Sequence, residues 1–425
     1  MSSKSQNLKY GSVSKKTFFS SVLGIEKQYN IYLPPRYNQS EDRYPVLYLF
    51  RGHEDEWFDP YMDHSRGGNA IQHLADELIQ TAAIGKMIIV GVSMTSDDGQ
   101  VYGLGMNMLN PKLAKAHNGI GSGKFEDYFT QDFIPHIDST YRTIADRAGR
   151  GMDGFSLGGY TSVMLAIKYP QLFSSVGSYD GSHMFRDLND PRLSFGKHDD
   201  YLWVRNDKMF APVFRKPGKK KYDISHLLSY NPLNILDELF GYEKGLLQSI
   251  RFYIKTAAFD GFQGNRDRGV HLVTLFQLHG IENHASSLIL SSDAHHTWKF
   301  ADLHMRETLK KHSEAFGVQP EEKTISAETE FLTNVELISV KETTPLHKTI
   351  TIDYRVYKEI PIKVEILSMQ GESIKTLKQE THACGRHQIE WKGLNATGHL
   401  IGSGLYFVLI STPTGAIRKK FLFLR

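Results

Sequence analysis

Residues 148–170 read Ala148-Gly149-Arg150-Gly151-Met152-Asp153-Gly154-Phe155-Ser156-Leu157-Gly158-Gly159-Tyr160-Thr161-Ser162-Val163-Met164-Leu165-Ala166-Ile167-Lys168-Tyr169-Pro170. At its centre, Gly154 to Gly158 has the spacing G-x-S-x-G. That pattern places a serine on a strained turn between a strand and a helix. Glycines flank such a turn because it leaves no room for Cβ atoms. The residues on either side agree: 148–153 is short enough for a strand, and 159–169 carries apolar residues at helical spacing until Pro170 stops it. A Gly-rich turn with a passive serine would need neither neighbour. Asp153 does not fit, because it puts a charge where a strand should be buried, and nothing in the sequence accounts for it.

Outward from this turn, strands and helices alternate. Residues 14–34 read as two antiparallel strands joined at Gly24. Tyr44–Phe50 and Met87–Ser93 are near-continuous apolar runs, as strands covered on both faces require. Asn69–Thr81 and Phe125–Tyr141 have helical periodicity, with Pro135 expected to kink the second. After the turn come strands at Leu172–Tyr179, Ile250–Ala258 and Ser286–Ser291, and helices at Gly269–Gly280 and Lys299–Phe316. This order predicts an α/β fold with a mostly parallel sheet. Two stretches interrupt it, a polar Gly-rich loop at 94–124 and an insertion at 183–247, and both are expected to wall a substrate pocket. The basic run Arg215–Lys221 reads as a solvated loop.

The chain has 425 residues, more than one ordinary core needs, so two domains are expected. From Gly317 the texture changes. Residues 317–330 read as a linker. Residues 331–425 alternate apolar and polar with turns at short spacing, which predicts an all-β sandwich. The first domain then covers 1–316. Fifty basic against 47 acidic residues argue against a nucleic-acid surface. A single cysteine, Cys384, excludes a disulfide framework and a thiolate metal cluster. No run of residues is apolar for long enough to span a bilayer. The first residues lack the apolar core of a signal peptide.

A serine hydroxyl needs a base within hydrogen-bond reach, and the base needs an acid to orient it. On an α/β-hydrolase scaffold the chain order is serine, acid, histidine. His295 and His296 both follow the last predicted strand and are candidate bases. Asp260, after the penultimate strand, is the preferred acid. Asp180, after the strand that follows the turn, is the alternative, and Asp267 is a weaker third. The oxyanion hole needs two backbone amides. By position these are Leu157, next to the serine, and His53, in the loop after the early buried strand. His271, His279 and His284 have no metal-ligand spacing, so no metal and no cofactor are expected.

Pro45–Gly52 with Trp57, Phe125–Pro135, Gly154–Tyr160, Tyr169–Phe173 and His296-Thr297-Trp298 together resemble the esterase D / feruloyl esterase-type family of α/β-hydrolases. The similarity runs over about residues 15–316 and covers the insertion poorly. The resemblance implies His296 as the base, since the family's His-x-Trp motif falls on His296 and Trp298. It places the acid on the turn Thr256–Asp260, and points to Trp57 and Trp298 as substrate-binding residues. Asp153 stands where the family has a small apolar residue, and Asp180-Gly181 where it has Ser-Gly. The tail, through Gly371, Gly385–Trp391, Gly393, Gly398 and Gly404–Phe407, resembles the Ig-like domain of flagellar hook-capping proteins and the sorting tails of type IX secretion, which implies export. The expectation is a serine carboxylic-ester hydrolase working through an acyl-enzyme on feruloyl or acetyl esters of plant-wall polysaccharide. An acyltransferase, or a thioester or siderophore-lactone hydrolase, would use the same residues. A non-catalytic carbohydrate- or surface-binding protein would need none of them in that order.

Overall fold

A seven-stranded sheet organises the first unit of the computed structural model, which describes residues 10–185, 207–259, 264–320, 335–342, 349–368, 371–413 and 415–423. Its strands are β1 (Ser12–Ser20), β2 (Ile25–Leu33), β3 (Val46–Phe50), β4 (Ile88–Val92), β5 (Arg150–Gly154), β6 (Ser175–Tyr179) and β7 (Arg251–Lys255). They lie in the order β1-β2-β4-β3-β5-β6-β7. The ladders β4-β3-β5-β6-β7 are parallel, while β1 and β2 join antiparallel at one edge. Gly24, at φ 71°, turns the β1–β2 hairpin. β3, β4, β5 and β6 are buried at every position. The near-continuous apolar runs of β3 and β4 follow from helices on both faces of the sheet.

Among the described residues the α-helices are α1 (Ile71–Gln80), α2 (Phe125–Asp127), α3 (Ile134–Thr140), α4 (Leu157–Lys168), then in the insertion α5 (Asp207–Phe214), α6 (Ile224–Ser229), α7 (Pro232–Glu238) and α8 (Gly241–Gln248), and after it α9 (Asn265–Leu278) and α10 (Trp298–Ala315). One apolar cluster joins α1 and α10 to the sheet through Ile71, Leu74, Leu78, Met305 and Leu309. A larger one gathers Tyr48, Phe129, Phe133, Val163 and Leu165. Where Pro135 was expected to kink a helix, a π-helical stretch, Tyr128–Phe133, precedes α3. A proline removes one amide from the ladder, and the wider winding absorbs the mismatch.

The predicted strand at Ser286–Ser291 does not join the sheet as a ladder. Its backbone pairs with the extension of β7 through an isolated bridge, Thr256 to Ile289. The side chain of Asn283 is the reason. Its Oδ1 accepts from the Ile254 amide at 2.9 Å, and its Nδ2 donates to the Ile254 carbonyl at 3.0 Å. Those groups are the ones an eighth strand would have paired.

The second unit spans Lys323–Arg425, and the first runs to Glu322, past the expected boundary at 316. The second holds β8 (Val335–Glu342), β9 (Ile350–Val356), β10 (Ile360–Leu367), β11 (Ser373–His382), β12 (Gly385–Trp391), β13 (Gly404–Thr412) and β14 (Gly415–Phe423). A four-stranded sheet, β11-β10-β13-β14, and a three-stranded one, β12-β9-β8, are both antiparallel. Their inner faces share one core around Ile352, Tyr354, Ile366, Trp391 and Val408. Among the described residues no helix is long and apolar enough to cross a membrane.

Candidate active site

The turn between β5 and α4 is as tight as its glycines imply. A Cβ on Gly158 would lie 1.9 Å from the Phe50 carbonyl oxygen, and one on Gly154 would lie 2.3 Å from Gly158 backbone. Ser156 sits at the apex with φ 58° and ψ −120°, a conformation that costs a non-glycine residue roughly 1–3 kcal/mol. Backbone bonds hold it there. Its amide donates to the Tyr179 carbonyl at 3.0 Å, and its carbonyl accepts from the Ser182 amide at 3.0 Å. Phe155 donates to the Phe50 carbonyl at 3.3 Å. The strained serine is thus tied to β6 and β3, the strands flanking its own.

His296 lies between the sheet and α10, and the ring of Phe155 packs on its imidazole at 4.6 Å between centroids. The His296 Nδ1 is 2.5 Å from Asp180 Oδ2. Asp180 directly follows β6 in the left-handed region, at φ 45°, and is fully buried. Its Oδ1 accepts from the Ala257 amide at 3.0 Å, and its carbonyl accepts from Asn265 Nδ2 at 3.1 Å. A carboxylate so fixed holds the imidazole with its proton on Nδ1 and leaves Nε2 as the basic atom. Among the described residues, the carboxylate against His296 is Asp180, the alternative acid; Asp260, the preferred one, lies outside the described residues. Asp267 falls in the first turn of α9. His295 turns elsewhere, its ring stacking on Phe259 at 5.1 Å and its carbonyl accepting from Tyr179 Oη at 2.8 Å.

The two oxyanion candidates differ. Leu157 opens α4, so its amide has no acceptor within the helix and points with the helix dipole. The His53 amide is engaged, donating to Glu56 Oε1 at 2.9 Å. Glu56 reaches it because residues 53–56 form a turn closed by Glu56 N to His53 O at 3.4 Å. Both tryptophans are buried. Trp57 is 1 % exposed and Trp298 6 %, with centroids 5.0 Å apart. The Trp57 indole donates to the Phe50 carbonyl at 3.0 Å. Trp298 in turn meets the Phe155 ring edge-on at 5.2 Å.

His53, Glu54 and Asp55 bring three potential metal-ligand atoms within 4.8 Å of one another. An ammonium group already sits among them. Lys15 Nζ is 3.0 Å from Glu54 Oε1 and 2.6 Å from Asp55 Oδ2. The loop at 94–124 is anchored by a buried lysine. Lys27 Nζ donates to the Thr95 carbonyl at 2.8 Å and the Gly119 carbonyl at 3.1 Å. The loop also lies on α5, with Leu109 and Asn110 donating to the Val213 and Pro212 carbonyls. The two predicted walls are thus continuous with each other.

Asp153 acquires a structural account. It is fully buried, and both its oxygens are occupied by the Gly154 amide and by His304, Thr308 and His312 of α10. Burial alone would raise its pKa; the two imidazoles more than offset this and hold the carboxyl below the ordinary range. The sequence carried a signal for this cluster, since His304, Thr308 and His312 recur every four residues on one helix face.

The Esterase family model, described as "Putative esterase", matches residues 20–279. The Endo-1,4-beta-xylanase/feruloyl esterase of Xylanibacter ruminicola is 28 % identical over 192 residues, 44 % of this chain and 24 % of that protein. The chain thus spans about a quarter of that relative. The Bacillus subtilis protein YbbA is 24 % identical over 203 residues, 48 % of this chain and 74 % of its own length. A solved ferulic acid esterase superposes with a TM-score of 0.53 at 19 % identity, over 72 % of this chain and 99 % of the other. The superposition identifies the first unit as an α/β-hydrolase fold.

Proposed function

We propose, from the premise that the chain belongs to the Esterase family, that it is a serine carboxylic-ester hydrolase in which Ser156, His296 and Asp180 do the chemistry. The observation that carries this reading is the Asp180–His296 pair, packed on the residue immediately before the strained serine. Ser156 Oγ attacks the ester carbonyl carbon while His296 Nε2 takes its proton. Asp180 stabilises the imidazolium that forms. The Leu157 amide meets the oxyanion, and His53 joins it when Glu56 releases its amide. Collapse of the tetrahedral species expels the alcohol, which receives the proton back from His296. Water then attacks the acyl-enzyme by the same route and frees the acid.

The substrate in this reading is a feruloyl or acetyl ester on plant-wall polysaccharide. The name of the Xylanibacter ruminicola relative supports it, and so does the family resemblance. The tail's resemblance to sorting domains supports a site of action outside the cell. Ser156→Ala is expected to abolish hydrolysis of p-nitrophenyl acetate and labelling by a fluorophosphonate probe. Parental turnover in that variant would refute the assignment. A panel of feruloyl, acetyl and short-chain aryl esters ranks the acyl group, and preference for short aryl acetates over methyl ferulate would remove the feruloyl half of the proposal.

A further inference from the structure

Two elements carry the reacting groups. β5 ends at Gly154, just before Ser156, and α10 begins at Trp298, just after His296. Where they meet, the contact is a buried carboxylate. Asp153 Oδ1 accepts from the Gly154 amide at 2.7 Å and lies 3.1 Å from His304 Nε2. Asp153 Oδ2 accepts from Thr308 Oγ1 at 2.7 Å and lies 3.1 Å from His312 Nε2. His312 Nδ1 is 2.6 Å from Ser175 Oγ on β6. Asp153, His304 and His312 are wholly inaccessible, and Thr308 is 1 % exposed.

We infer that Asp153, His304, Thr308 and His312 are a positioning set that fixes the base relative to the nucleophile; this rests on the Ser156–His296 reading above. Apolar packing would hold α10 on the sheet at least as firmly, since burying charge is costly and well-packed apolar substitutes are often as stable. What apolar packing lacks is direction, because hydrophobic attraction is non-directional. Hydrogen bonds weaken steeply with angle. Three side chains one turn apart, all aimed at one carboxylate, break together if the helix slips by a residue. The carboxylate is itself bonded to the amide of the turn. A displacement of α10 is therefore felt two residues from Ser156, and the imidazole at the head of the same helix moves with it.

The test separates registration from stability. Asp153→Ala removes the joint. Asp153→Asn can keep it: the amide oxygen serves Gly154 and His304, and the NH2 group faces Thr308 Oγ1 and a His312 ring whose proton has moved to Nδ1, toward Ser175. Activity on p-nitrophenyl acetate is divided by the number of serines labelled by a fluorophosphonate, so that only folded, competent molecules are counted. For Asp153→Ala the expected result is kcat per labelled serine down at least about tenfold with KM within about twofold, and labelling slowed by the same factor. Asp153→Asn is expected to return to within about threefold of the parent. Parental kcat per labelled serine in Asp153→Ala, or an Asn variant as slow as the Ala one, overturns the inference. If Asp153→Ala does not fold, Thr308→Val decides: about threefold lower kcat per labelled serine supports it, and the parental value overturns it. A parent whose Ser156 takes no label overturns the underlying reading, a result distinguishable from all of these.

Discussion

Asp180 accepts the Ala257 amide with one oxygen and faces His296 with the other, so it has no freedom to do anything but hold that ring. Asp180→Asn keeps the shape and offers an N–H where an acceptor is needed, forcing the wrong imidazole tautomer. The expected loss is about 10⁴-fold in kcat with little change in KM, from the same logic that governs Ser-His-Asp triads. Asp260→Ala is expected to leave kcat within about threefold, and an equal loss there would return the role to Asp260. The sequence could not separate the two, because each aspartate follows a predicted strand and the pattern expects both on loops at one sheet edge. What sets Asp180 against His296, φ 45° and the Ala257 amide, has no sequence signature. A second residue gives a pH prediction. Buried His183 has its pKa pushed down to about 3, first by desolvation and then by the Arg268 charge. Its folded pKa lies below the unfolded value near ~6.5, so its contribution to stability is complete above that pH and is lost as pH falls toward 3. The slope is up to about 1.4 kcal/mol per pH unit. His183→Phe is expected to flatten the urea midpoint between pH 6.5 and 4 relative to the parent. Parallel curves for the two proteins would contradict this.

At the scale of elements, the turn between β5 and α4 is the part whose chemistry was most legible. Glycine spacing reports a steric fact, and the Cβ position 1.9 Å from the Phe50 carbonyl oxygen is that fact measured. Gly158→Ala must therefore move β3, α4 or both. The expected cost is about 4 kcal/mol or more, at the upper end for single substitutions, read as a fall in the urea midpoint. A shift under about 1 kcal/mol would mean that the turn is slack. Other elements were legible only in part. Buried strands such as β3 and β4 announce themselves by continuous apolar runs. The run at 286–291 has the same texture yet stays out of the sheet, because the Asn283 side chain takes both Ile254 backbone groups. A side chain that imitates a strand leaves no periodicity to read. The burial of Trp57 and Trp298 was not legible for a related reason: a pattern fixes where a residue falls along the chain, and this T-shaped pair is set by packing.

For the molecule as a whole, the change of texture near residue 317 marks two cores with no residue in common. The first unit needs a few residues beyond α10. The Gly85 amide donates to Ser313 Oγ at 2.8 Å, and Val318 and Gln319 lie against Gly85, where an added Cβ would meet them at 2.9 Å. A fragment ending at 320 retains these contacts, whereas one ending at 316 keeps Ser313 but loses Val318 and Gln319. Fragment 1–320 is expected to hydrolyse p-nitrophenyl acetate with kcat and KM within about twofold of the full chain, because Ser156, His296, Asp180 and their supports all lie inside it. The tail offers the reciprocal test. Trp391 is 3 % exposed and packs against Phe421, Phe423 and Tyr406, so it holds the two small sheets together. Trp391→Ala is expected to cost the tail about 3–5 kcal/mol. Separate cores predict that calorimetry of the full chain shows two transitions, that this substitution lowers one and leaves the other in place, and that esterase turnover is unchanged. If both transitions fell together, or if turnover fell with them, the tail would be a structural part of the hydrolase, and fragment 1–320 would have to lose activity as well.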